Sequence, residues 1–471
     1  MSSNTPDKNA PGITAGFMVP HPPMIVPDIG RGSEAQVAGT SRAYEAVAAQ
    51  IAALCPDTII ITSPHSVLYA DYFHISPGEN ASGSFASFRA PSVRFGETYD
   101  AELVTEIEKL CDELKFPAGT LGERDRSLDH GTMVPLWFIR KAFSGAKIVR
   151  IGLSGLPLTD HYAFGRIIRQ ACVNMNRRAV FVASGDLSHK LQSYGPYGYA
   201  PEGPEYDRRI MDVMERAAFG ELFDFDENFL NKAAECGHRS FVIMAGAFDG
   251  QKVRAEALCH QDVTGVGYGI CSFYPGAEDE SRRFLDLRLS AEQAQLDIKK
   301  AASDDYVKLA RSAVEAYVTS GRRIAVPDGL PSEMLTDRAG AFVSIHEHGN
   351  LRGCIGTTGP TTTCIAEEII SNAISASTKD PRFPAISPDE LNFLDISVDV
   401  LGEPEDIDSP DELDVKRYGV IVSSGFRRGL LLPDLDGVDT PGEQIEIAMR
   451  KGGIKSTDAL KLQRFEVVRH H

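Results

Sequence analysis

No Cys-x-x-C pair occurs among the eight cysteines of this 471-residue chain. Scattered cysteines in a chain this long read as reduced thiols, not as a disulfide framework, so the expected location is the cytoplasm. No apolar run reaches the roughly 18 residues needed to cross a bilayer. The opening Met1–Pro11 is polar, lacks the basic-then-apolar order of a secretory signal, and is expected to carry no ordered structure. No membrane partner is expected. Basic residues are in the minority: Lys+Arg 48 against Asp+Glu 66 gives a net charge of -18. Phosphate recognition needs clustered Lys and Arg, so the balance argues against a nucleic-acid partner. Internal repeats and a His-Glu-x-x-His helix are also missing, and the latter argues against the commonest zinc-hydrolase arrangement.

What is present is an ordinary globular composition, 42% hydrophobic and 24% charged, over a length that suits two or three domains of about 100–200 residues. The most informative stretch is Gly16-Phe-Met-Val-Pro-His21-Pro-Pro. Proline fixes φ and offers no N–H, so the pair ends any strand and stiffens its exit. Two further apolar runs also lead into a histidine: Thr58-Ile-Ile-Ile-Thr-Ser-Pro-His65, and Ala179-Val-Phe-Val-Ala-Ser-Gly-Asp-Leu-Ser-His189. One such histidine reads as a surface or capped residue. Three reaching the carboxyl ends of strands, where open α/β sheets bind ligands, read as one site.

Between these runs the pattern alternates strand and helix. Helical spacing covers 34–54, 100–115, 159–174 and 206–218, and strands are expected at 58–62, 147–153, 253–257 and 265–274. The last two are short enough to lie antiparallel at an edge. Residues 74–96 read as a loop or hairpin over the site, and 191–204 as a lid or wall. This is α/β class with a central, mostly parallel sheet. The charged stretch 276–302 reads as a linker or linker helix, separating a domain at 13–275 from a smaller α+β domain at 303–469. The second domain shows helices at 305–319, 362–379 and 442–451, a hairpin at 340–356, and strands at 394–401 and 419–432.

Two histidines and one carboxylate on one face of a metal leave adjacent positions open, the geometry suited to non-haem Fe(II). His21 and His65 are the nitrogen ligands in this reading, and Glu235 the carboxylate. The bland alternative for Glu235 is a helix N-terminal charge. His189, three residues after Asp186, is the candidate acid/base, since a chelating phenol or catechol must lose protons. His130, in Asp-His-Gly, could hydrogen-bond substrate or dioxygen, against a plain turn histidine. His74 and His161 end no strand and read as structural, and His238 is ambiguous beside Glu235.

Met18-Val-Pro-His21-Pro-Pro, Thr62-Ser-Pro-His65, Asp129-His130-Gly with Pro135-Leu136, and Gly185-Asp186-Leu-Ser-His189 together resemble the LigB-type catalytic subunit of class III extradiol dioxygenases, and the related Memo family. The resemblance implies cleavage of a catechol-like aromatic ring by O₂ at Fe(II), with His21, His65 and Glu235 on the metal, His189 as catalyst and His130 near the substrate. Memo-like relatives carry a cysteine at the third ligand position, and here Glu235 and Cys236 are neighbours. A thiolate would favour a softer metal and a binding role without ring-cleaving turnover. A zinc hydrolase is a third, weaker reading.

The second domain resembles the AMMECR family through Leu351-Arg-Gly-Cys-Ile-Gly356, Asp380-Pro-Arg-Phe-Pro384 and Gly429-Leu-Leu-Leu-Pro433. That family's job is not established. Cys354 is either a reactive thiol or, on the bland reading, a buried structural one. Arg352 and Arg382 suggest an anion site, against ordinary salt bridges. The two domain types together resemble the AmmeMemoRadiSam grouping, which implies a radical-SAM protein as a partner. Homo-oligomerisation is left open.

Overall fold

The structure is a computed structural model and describes residues 11–122, 126–435, 437–455, 457 and 459–471. All of Met1–Pro11 except Pro11 lies outside the described residues. The chain divides into two compact units between Arg288 and Leu289.

The first unit is built on strands β1 (Gly12–Val19), β2 (Thr58–Ser63), β3 (Asn80–Phe85), β4 (Ala90–Thr98), β5 (Lys147–Gly152), β6 (Arg178–Ser184), β7 (Gln251–Gln261) and β8 (Tyr268–Glu278). Its main helices are α1 (Ala38–Leu54), α2 (Ala101–Leu114), α3 (His130–Ala142), α4 (Leu158–Asn174), α5 (Glu202–Glu215) and α6 (His238–Gly246). Six strands form one sheet in the order β5-β2-β6-β1-β8-β7. The first four run parallel, and β8 and β7 close the edge antiparallel as expected, though at 11 residues each they are not the short strands that expectation rested on. Both faces are covered, which is why β2 reads as a continuous β-branched run. Ile60 and Met18 pack into one core, and Ile59, Ile61, Phe17 and Val19 into the other. β3 and β4 form a separate hairpin where 74–96 suggested one.

Register places the site. Val19 pairs with Ser184, and Thr62 with Ala183, so β1, β6 and β2 end level with one another. Two residues beyond each end stand His21, Asp186 and His65.

The charged stretch 276–302 finishes β8, forms a turn at Glu280–Arg282 and becomes α7 (Phe284–Ala302). In the second unit α8 (Asp305–Ser320) is followed by the hairpin β9 (Ala341–Glu347) and β10 (Asn350–Gly356), then α9 (Ile365–Thr378) and β11 (Leu394–Leu401). β12 (Glu405–Ile407), β13 (Gly419–Ser424), β14 (Arg427–Leu431), α10 (Pro441–Lys451), β15 (Lys461–Phe465) and β16 (Val467–His470) complete it. These strands make two four-stranded sheets, β10-β9-β11-β16 and β12-β15-β13-β14. α8 and α9 pack a core against the first sheet, and α10 packs one against the second.

Candidate metal centre

His21 leaves β1 on the rigid Pro20 turn, whose carbonyl accepts a hydrogen bond from the buried Tyr44 hydroxyl of α1. The His21 amide donates to Asp186 Oδ1 at 2.8 Å, tying the β1 exit to the β6 exit. His21 Nδ1 lies 3.0 Å from Ser184 Oγ, and that hydroxyl donates its only proton to the Gly131 carbonyl at 2.6 Å. The hydroxyl can then only accept from the ring, so Nδ1 carries the proton and the Nε2 lone pair is left free. This is how a neighbour fixes the tautomer of a metal-ligating histidine.

His65 Nε2 lies 3.0 Å from that Nε2, and the Cys236 sulfur 3.7 Å from it. The three donor atoms His21 Nε2, His65 Nε2 and Cys236 Sγ lie within 4.8 Å of one another. Bonds of about 2.0–2.3 Å to a shared ion would span such separations. Two ring nitrogens this close need a proton or a cation between them. Asp186, His189 and Cys236 form a second, overlapping group of the same kind.

Cys236 is delivered by backbone packing. A Cβ at Gly185 would meet Gly237 Cα at 2.1 Å, so only glycine lets the β6 exit approach this segment. The Asp186 amide then donates to Cys236 Sγ at 3.2 Å. Burial, with Asp186 and Glu235 nearby, holds the Cys236 thiol well above its ordinary pKa.

Glu235 takes another role. Its carboxylate accepts the His238 amide at 2.5 Å at the start of α6, and it is not among the grouped ligand atoms. Successive side chains in an irregular segment point different ways. Ala234, with φ of +52°, sets which of the two neighbours faces the histidines. The Cys236 sulfur thus lies beside His21 and His65, and the Glu235 carboxylate expected there from sequence lies on the His238 amide. Burial raises the Glu235 pKa to about 6.

His130 is the first residue of α3, which Asp129 caps by accepting the Thr132 amide at 3.0 Å. Its ring lies 4.0 Å from that of His65 and 5.4 Å from that of His21. Phe88, between β3 and β4, covers it at 5.3 Å. Burial, with His21 beside both rings, lowers His65 and His130 to about 4, and burial lowers His21 too. His189 Nε2 lies 3.8 Å from Asp186 Oδ2, and the His189 ring stacks on Tyr197 at 5.0 Å. Burial opposes a charge on Asp186, but the His21 and His189 imidazoles hold its pKa below the usual value.

Residues 15–271 match the family model described as the catalytic LigB subunit of aromatic ring-opening dioxygenase, and residues 307–470 match AMMECR1. The chain belongs to the LigB family, fused to an AMMECR1 domain. Protein CA_C1420 of Clostridium acetobutylicum is 41% identical over 96% of this chain and 98% of its own length. A Thermotoga maritima protein is 51% identical over 35% of this chain and 96% of its own. Among solved structures, the uncharacterised PH0010 from Pyrococcus horikoshii matches 35% of this chain and 88% of its own, at 31% identity and a TM-score of 0.33. The uncharacterised JW3007 from Escherichia coli K12 matches 55% of this chain and 99% of its own, at 15% identity and a TM-score of 0.37.

In the LigB unit the other histidines lie elsewhere. His161 Nδ1 contacts the Pro157 carbonyl at 3.0 Å in the core beside Phe73, and burial lowers it to about 3. His238 Nε2 contacts the Leu222 carbonyl at 3.0 Å, and burial lowers it to about 4. His74 is buried against the Leu121 carbonyl at 3.0 Å. Sequence reading passed over Asp186 as a site residue and missed Ser184. The Gly-Asp pair directly after a strand was the available signal for Asp186.

Two AMMECR1 motifs meet each other. Asp380 accepts the Cys354 amide at 2.9 Å, and Arg382 donates to the Cys354 carbonyl at 3.3 Å. These close the outer side of the edge strand β10. Arg382 also pairs with Asp380 at 2.7 Å, and Arg352 with Glu390 at 2.6 Å. Both guanidiniums suggested as an anion site are thus engaged in salt bridges.

Proposed function

We propose that the LigB unit is an O₂-dependent oxidoreductase that opens the ring of a catechol-like aromatic beside its hydroxyls, using Fe(II) held by His21, His65 and Cys236. The convergence of the His21 and His65 ring nitrogens, with Asp186, His189 and His130 around them, carries this reading. Two imidazoles and a thiolate fit a borderline metal ion. Bound Fe(II) supplies Lewis acidity towards the phenolic oxygens and electrons towards dioxygen. The Ser184 hydroxyl keeps the His21 tautomer ready to ligate. His189 takes a proton from a substrate hydroxyl and later returns it, and Asp186 stabilises the imidazolium that forms. His130 offers a further hydrogen bond, and Phe88 packs edge-on against that ring.

One observation favours a second reading: a thiol stands where ring-cleaving relatives are expected to present a carboxylate. A Memo-like metal-binding protein without dioxygenase turnover would use the same three ligands, with the AMMECR1 domain as its interaction surface. A radical-SAM protein is the partner class we propose for either case.

Anaerobic loading with Fe(II), followed by O₂ uptake across a panel of catechols, separates the two. O₂ consumption with a yellow ring-opened product supports the first. Tight metal binding with no O₂ uptake supports the second. Loss of turnover with retained iron in His189→Ala is expected, and loss of iron there would overturn the role given to His189.

A further inference from the structure

The AMMECR1 unit presents one apolar side chain that folding does not use. Ser424 pairs with Arg427, so the β13–β14 hairpin closes through only Gly425 and Phe426. Gly425 takes a φ of +59° and Phe426 does not take a positive φ, the pattern of a two-residue turn with glycine first. That turn accounts for Gly425. It does not account for phenylalanine at the apex, where the side chain is 100% exposed.

The shoulders of this apex are cationic. Arg427 and Arg428 follow the ring on β14, and Arg427 Nη1 donates to the Gly453 carbonyl at 2.8 Å, tying the hairpin to the end of α10. A Cβ at Gly452 would lie 2.7 Å from the Gly429 amide nitrogen, so the two segments are in direct contact. Arg450 and Lys451 in the last turn of α10, and Lys455 beyond it, therefore lie on elements packed against the hairpin. Residues 424–433 and 447–455 contain no Asp or Glu, in a chain whose net charge is -18. Among the described residues, Asp434 follows the β14 arm and is paired with Lys416 at 3.1 Å, Glu446 lies one turn back on α10, and Asp406 on the neighbouring sheet is paired with Lys461 at 2.9 Å. Favourable interaction with the helix dipole accounts for Arg450 and Lys451 alone. It does not account for the arginines on the hairpin, nor for the ring between them.

We propose that this tip, Phe426 with Arg428, Arg450 and Lys451 behind it, docks the chain on an anionic lipid surface. An aromatic ring at the apex enters the boundary between headgroups and acyl chains, and the cations behind it meet lipid phosphates and carboxylates. Single-stranded nucleic acid is the less suitable occupant, because it uses a row of aromatic rings as a stacking platform. Here one ring stands alone. The chain's overall acidity does not prevent local contact, since charges beyond about 8 Å are largely screened at physiological ionic strength.

The test is co-sedimentation of the full chain with vesicles of two parts phosphatidylcholine to one part phosphatidylserine, and with phosphatidylcholine alone. Binding to the mixed vesicles only is expected. Phe426→Ser should weaken it about ten-fold or more, from the loss of one buried aromatic side chain. Arg428→Glu should weaken it by at least about five-fold. Both positions are exposed, and unchanged circular dichroism would show that the variants fold. Failure of the wild type to bind mixed vesicles would overturn the proposal. So would equal binding by Phe426→Ser, or tip-dependent binding of a single-stranded oligonucleotide in place of lipid.

Discussion

The two units use their most recognisable residues in opposite ways. In the LigB unit, His21, His65, Asp186, His189 and Cys236 come from distant segments and turn their polar atoms towards one another. In the AMMECR1 unit, Leu-Arg-Gly-Cys-Ile-Gly and Asp-Pro-Arg-Phe-Pro satisfy each other's backbone, with Asp380 and Arg382, themselves paired, closing an edge strand. Such an edge is otherwise a template for unwanted pairing. A motif specific enough to identify a domain can thus mark architecture in one half of a chain and chemistry in the other. What separates the cases is whether its polar atoms already have partners.

The strongest way to break this comparison is to remove a converging ligand. His21→Ala or His65→Ala should abolish binding of one metal equivalent, as read by elemental analysis of protein loaded with Fe(II) without oxygen. Cys236→Ser should lose most of it, whereas Glu235→Ala should keep the metal and cost about 1 kcal/mol of stability through the α6 N-terminus. The opposite ranking would return the ligand role to Glu235. Ser184→Ala should weaken metal affinity about 10–100-fold by releasing the His21 tautomer.

Asp380→Ala makes the converse cut. It strips the acceptor from a part-buried amide and from Arg382, so a loss of about 1 kcal/mol in chemical denaturation is expected, with metal binding untouched.

Acid gives the gentlest contrast. His65, His130 and His238 titrate near 4 and His161 near 3 in the folded LigB unit, below the ordinary 6.5. Histidines lowered in this way stabilise the fold above pH 6.5, and that share is lost as pH falls from 6.5 towards 4. In the AMMECR1 unit the Arg382 guanidinium holds Asp380 low, and hydroxyls and amides of Thr357–Thr362 outweigh burial to hold Glu368 low. Their share is lost only below the ordinary carboxylate values of 3.8 and 4.5. Without metal, the LigB unit should therefore unfold first on acidification. Trp137 on α3 is the chain's only tryptophan and reports that unit alone by fluorescence. A Trp137 transition coincident with total loss of circular dichroism would refute the order.

Much of this was legible in the residues. Apolar runs stopping at Pro20-His21 and Pro64-His65 located strand ends, and Asp129-His130-Gly located the start of α3. Which of Glu235 and Cys236 lies beside the two histidines was not legible. It depends on the backbone at Ala234 and on the contact of Gly185 with Gly237, two glycines 52 positions apart. β12, β15 and β16 were missed for a related reason. They have three to five residues each, and β12 finds its partner only through pairings such as Glu405 with Arg464.

The level ends of β2, β6 and β1 carry one more consequence. His65 and His21 spring from strands on either side of β6, roughly 10 Å apart at about 4.8 Å per strand, yet their ring nitrogens meet at 3.0 Å. Each imidazole bridges about a third of that gap. The sheet's hydrogen-bond spacing thus acts as a ruler, and shorter ligating side chains such as aspartate would fall short of the midpoint. Conversion of this centre to a carboxylate-rich one would need a change in the connecting turns, beyond any exchange of side chains.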